Sequence, residues 1–129
     1  MRYLIKPFLL LLLITSMGHV VPGEEGGAPA LSHVVLMWLN TPGDRQAIDE
    51  ITRATRALAR IPGVTSVKVG AAVESERAIV DDSFDVGVIF TFSCRQEMDA
   101  YLVHPMHRQA VRDVIEPLVR KIIVYDIQE

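Results

Sequence analysis

The 129 residues leave room for one domain rather than two, and about a hundred remain once an N-terminal targeting segment is set aside. The formal charge of −3 grows more negative when Arg2 and Lys6 leave with that segment, which excludes the basic footprint of a nucleic-acid binder. A single cysteine, Cys94, excludes an internal disulfide; it reads as a small residue beside a helix start rather than a catalytic thiol.

Arg2 and Lys6 precede an uncharged run from Pro7 to Val21 that contains five consecutive leucines, Leu9 to Leu13, and then Ile14. A basic start before an apolar block shorter than the about 20 residues of a membrane span reads as a secretory signal. Residues 1–23 are assigned to the signal, with several small residues offering the cut, and 24–30, rich in Gly, Pro and Glu, to a flexible lead-in. Residues 31–129 form the folded domain. The expected address is therefore exported, periplasmic or secreted; the alternative is a membrane anchor, should the first segment stay uncleaved.

From Leu31 to Leu39 the chain is apolar on both alternate faces, His33, Val35 and Met37 on one and Val34, Leu36 and Trp38 on the other, which predicts a strand covered twice. After Thr41-Pro42-Gly43-Asp44, the residues Ile48, Ile51, Ala54, Leu58 and Ile61 recur at helical spacing up to Pro62-Gly63. Val64 to Val73 reads as a second strand, Glu74 to Ser83 as an acidic, solvated hairpin loop, and Phe84 to Phe92 as a third strand. Ser93 with Gln96 fits a capping box for a helix to about Val103. Pro105 suits the first turn of another helix, with Ala110, Val111, Val114, Ile115 and Leu118 as its stripe. Lys121 to Ile127 closes the chain as a fourth strand.

The order βαββααβ is the split βαβ, or ferredoxin-like, pattern: an α+β fold with a four-stranded antiparallel sheet in the order 4-1-3-2. Helices cover one face of such a sheet. The other carries Val, Ile, Met and Phe and still needs a cover, which a second copy supplies most simply, making a homodimer.

Three histidines lie in the domain: His33, His104 and His107. In the 4-1-3-2 order the start of strand one lies beside the end of strand four, so Asp126 can reach His33, either as a general-base pair or as a satisfied structural histidine. Tyr101, His104 and His107 fall three apart, with His104 suited to capping the helix that Pro105 starts. His104, His107 and His33 could together hold a metal, but the break at Pro105 spoils the shared face, so neither metal nor cofactor is expected.

The combination of His33-Val34-Val35-Leu36, Ile61-Pro62-Gly63-Val64, Phe84-Asp85, Tyr101-Leu102-Val103-His104-Pro105-Met106-His107 and Asp126 resembles the stress-responsive A/B barrel domain family, over about Ser32 to Ile127. The resemblance implies a dimeric α/β barrel with a pocket for a small apolar or aromatic ligand. The best-characterised chemistry in that family is a cofactor-independent polyketide cyclisation. Carried over residue by residue, it makes His107 the base that takes a proton beside a carbonyl, Tyr101 the group that bonds the substrate oxygen, and His33 and Asp126 further members of the site. The specific activity is left unassigned, with a cofactor-independent lyase or cyclase using His107 and Tyr101 as the alternative.

Overall fold

The computed structural model describes residues 30–129, so the expected signal and most of the lead-in lie outside the described residues. The elements run β1 (Leu31–Leu39), α1 (Arg45–Ala57), β2 (Val64–Gly70), β3 (Val86–Phe92), α2 (Arg95–Val103), α3 (Pro105–Ala110), a π-helical turn (Val111–Ile115), α4 (Glu116–Leu118) and β4 (Val119–Gln128). Every strand pairing is antiparallel, in the order β2-β3-β1-β4, the expected 4-1-3-2 arrangement read from the opposite edge.

Local chemistry fixes α1. Asp44 sits at its N-cap and accepts hydrogen bonds from the backbone N–H groups of Gln46 at 3.0 Å and Ala47 at 3.2 Å, two donors the helix cannot satisfy itself. Ala47, Ile51, Thr55 and Leu58 are buried against the sheet. The stripe is wider than expected, since Thr55, a polar residue, is buried beside the partly buried Ala54. Pro62 and Gly63 end the element, and Gly63 takes φ +92°, a left-handed conformation that favours glycine.

Strand register then decides which side chains meet. Across the sheet, Val67 of β2 pairs with Phe90, Phe90 with His33, and His33 with Asp126. This row faces the helices, as does Val69–Val88–Val35–Val124. The core beneath the helices gathers Leu31, Leu39, Ile51, Ile61, Val86, Phe92, Met98 and Tyr101, all nearly inaccessible to water. On the outer face the corresponding row is Lys68–Ile89–Val34–Tyr125, and no helix among the described residues covers it.

Four expectations are corrected in detail. The second strand ends at Gly70 rather than Val73, and the third starts at Val86 rather than Phe84. Asp85 stands just before the third strand, its N–H still bonded to the Met37 carbonyl at 2.9 Å, while its carboxylate accepts from the N–H groups of Leu39 at 2.9 Å and Gly43 at 2.7 Å, and the Phe84 ring meets Trp38 edge-on at 6.3 Å. The capping box does not form: α2 starts at Arg95, so Cys94 rather than Ser93 holds the N-cap position, with no side-chain cap bond. The fourth strand is longer than expected, beginning at Val119, with a bulge opposite Trp38 and Leu39.

Candidate functional site

A cavity of about 230 Å³ lies between the helix-facing side of the sheet and the helices. His33, Tyr101 and His107 all line it, together with Thr55 and a wall of aliphatic and aromatic residues such as Val35, Leu58, Phe90, Ile115 and Val124. The hydroxyl of Thr55 went unnoticed in the sequence, although a threonine four residues after Ile51 on an apolar stripe is a readable signal. Ile122 and Val124 line the cavity and remain 44% and 45% exposed, so the mouth opens beside edge strand β4.

His33 is buried at 6% exposure, and its Nδ1 lies 2.6 Å from Asp126 Oδ1. A carboxylate accepts, so Nδ1–H donates and Nε2 is the nitrogen left to the cavity. The pairing follows directly from register, because the two residues are cross-strand partners. Asp126 is not itself a lining residue; it stands at the rim with its side chain 45% exposed.

Tyr101 is the hub of the site. Its ring lies 4.6 Å from that of His107, 5.0 Å from Phe90 and 6.2 Å from His33, centroid to centroid. Burial pushes its phenol well above the ordinary value, so the hydroxyl stays protonated at neutral pH and can donate. His107 Nδ1 lies 3.1 Å from the Leu102 carbonyl, which can only accept, so this nitrogen carries the proton and Nε2 keeps its lone pair. Burial, and after it the charges of His33 and Arg108, hold the His107 imidazole below its ordinary pKa, against the opposing pull of the Leu102 hydrogen bond. It is a neutral base near pH 7.

His104 does not join them in a metal set. Its Nδ1 accepts from the Met106 N–H at 3.2 Å, capping α3, and among the described residues no group of three or more metal-ligating side chains gathers. The acidic loop satisfies itself: Asp82 accepts from Ser75 N–H at 2.8 Å, and Asp81 accepts from Ser83, whose hydrogen bonds lower its pKa.

These features define the class first: a ferredoxin-like α+β domain with an apolar hollow on the helix side of its sheet, holding two imidazoles and a phenol. The chain belongs to the stress responsive A/B barrel domain family, whose model matches residues 31–129. No curated protein matches the sequence. Among solved structures it is similar to a Dabb family protein with a ferredoxin-like fold from Mesorhizobium loti, at 23% identity and TM-score 0.63, covering 77% of this chain and 95% of that one. It is also similar to a dimeric ferredoxin-like protein of unknown function from Jannaschia, at 25% identity and TM-score 0.63, covering 78% and 99%. A third similar structure is the hydroxynitrile lyase from Passiflora edulis, at 18% identity and TM-score 0.68, covering 79% and 94%.

Proposed function

We propose that this is an exported homodimer that takes a small, largely apolar molecule bearing a hydroxyl or carbonyl into the cavity beneath its helices. The observation that carries the reading is the cavity itself, about 230 Å³ with apolar walls and Tyr101, His33 and His107 as convergent polar groups. A dry apolar cavity of about 150 Å³ accommodates benzene, so this one suits a substituted single ring. Export is supported by the basic start and leucine block, and the dimer by the uncovered apolar sheet face together with the dimeric Jannaschia neighbour. Native mass spectrometry of the protein recovered from its own exported fraction tests all three parts. A processed dimer carrying extra small-molecule mass is expected; an unprocessed, bare monomer would sink the reading.

A second reading, turnover by acid–base chemistry, is favoured by one specific observation, the free lone pair on a neutral His107. With the hydroxynitrile of an aldehyde, a substrate type suggested by the lyase neighbour's name, His107 Nε2 removes the hydroxyl proton while Tyr101 bonds the oxygen. The C–CN bond breaks with its electron pair on cyanide, the aldehyde forms, and the imidazolium returns the proton to give hydrogen cyanide. His107→Ala is expected to lower such turnover by about 10²-fold or more with binding retained. A wild-type protein inactive across cyanohydrin, ester and phenol panels leaves binding without turnover.

A further inference from the structure

Charge, rather than shape, is the sharpest restriction the cavity imposes on what enters. None of its lining residues is a lysine or an arginine. Of the cations nearby, Arg56 and Arg108 are exposed, with Arg108 near enough for its charge to help depress the His107 pKa, Arg112 pairs with Asp113 at 2.9 Å, and Lys121 lies 4.2 Å over the Trp38 ring on the outer face of the sheet. The acidic group beside the cavity is the carboxylate of Asp126, held 2.6 Å from His33 at the rim. Whether His33 is neutral or charged, the pair sums to minus one or zero, never to a positive value. His107, desolvated and kept neutral at pH 7, adds nothing to it.

An anion entering this hollow would give up its water and meet no counter-charge among the lining residues, and an uncompensated buried charge is far more costly than a buried hydroxyl that finds a hydrogen-bond partner. The polar groups that are present suit a neutral oxygen instead. The Tyr101 hydroxyl donates to it, and His107 Nε2 accepts from it if it carries a proton.

We propose that the site selects uncharged alcohols, phenols and carbonyl compounds and rejects carboxylates and phosphate esters of the same size. The proposal rests on the reading of this cavity as a small-molecule site and adds the charge rule to it.

Benzyl alcohol and benzoate test it, being matched in ring and length and different in charge at pH 7. Binding to the mature protein is followed by methyl NMR, through the saturable shifts of Val35, Leu58 and Ile122 at the cavity wall. Benzyl alcohol is expected to shift these resonances, and benzoate to bind at least about tenfold more weakly, a difference that desolvation of one charge readily supplies. Asp126→Asn, which keeps a hydrogen-bond acceptor beside His33 and removes the charge, is expected to narrow that ratio. Benzoate binding as tightly as benzyl alcohol overturns the charge rule and leaves the pocket reading standing. An unchanged ratio in Asp126→Asn overturns the assignment of that carboxylate as its cause. Failure of both probes to move any cavity methyl sinks the small-molecule reading itself, and the charge rule with it.

Discussion

His33 and His107 occupy the same cavity but are held by different kinds of partner, and their responses to mutation and pH should differ accordingly. Truncating Asp126→Ala leaves a buried imidazole N–H without its acceptor, which costs about 1–3 kcal/mol, toward the lower end because Asp126 is half exposed. Urea unfolding at pH 7 measures it, and an unchanged midpoint would make the pair a surface contact of no consequence. His107 couples to pH with a definite sign. Its pKa is lowered on folding from the ordinary 6.5, so the unfolded chain binds more protons below that value. Its contribution to stability is complete above about pH 6.5 and is lost as the pH falls below it, toward the lowered native value. The unfolding midpoint should drop between pH 7 and pH 5 more steeply in the wild type than in His107→Gln; equal slopes would remove burial as the cause. The His33–Asp126 contact was legible in the sequence because antiparallel neighbours in a known order fix which ends lie together. The His107 tautomer was not, because it depends on how α3 turns back on the Leu102 carbonyl at the end of α2, a corner geometry no spacing rule contains. Thr55 was missed for a simpler reason: hydropathy favoured its neighbour Ala54 for the stripe.

At the scale of elements, the sheet and its helices were legible, since alternation and helical periodicity span whole segments, whereas element ends were less so. The start of β3 is flanked by long-range partners. Just before the strand, Asp85 holds Leu39 and Gly43, residues more than forty positions away, and a sequence read locally cannot see such a partner. The turn from α1 into β2 shows the opposite case, where local chemistry dictates the outcome. Gly63 has φ +92°, and a Cβ built there would lie 2.9 Å from the Cβ of Glu97 on α2. Gly63→Ala therefore meets both a left-handed backbone penalty of about 1–2 kcal/mol and a steric clash, and should destabilise by at least that amount. Thermal unfolding checks it. Glu97→Ala in the same background should recover only the part of the steric cost that comes from the Glu97 carboxylate, because the Cβ contact and the backbone penalty both remain.

For the molecule as a whole, the unresolved burden is the outer face of the sheet. Ile89, Tyr125 and Ile127 are 39%, 54% and 55% exposed there, beside the partly buried Val34, Leu36 and Ile123. A hollow of about 340 Å³ on this face, lined by Val34, Leu36, Phe84 and Ile89 among others, contains none of the catalytic candidates. Contiguous apolar surface of this kind marks an interface, and packing sheet on sheet would bury it in the manner of a core cut in half. Tyr125 stands in the outer row with Lys68, Ile89 and Val34, where an aromatic side chain can bury a large area, so Tyr125→Asp should weaken a homodimer by about 30-fold or more. Because Tyr125 is 54% exposed in the single chain, the monomer's fold should survive, as far-UV circular dichroism would show. Ile79→Asp is the matching control: Ile79 is 90% exposed, but on the β2–β3 loop, off the sheet face. Sedimentation across a concentration series should find the first variant monomeric and the second dimeric. The reverse pattern would move the interface to the loop and leave the apolar face without a partner.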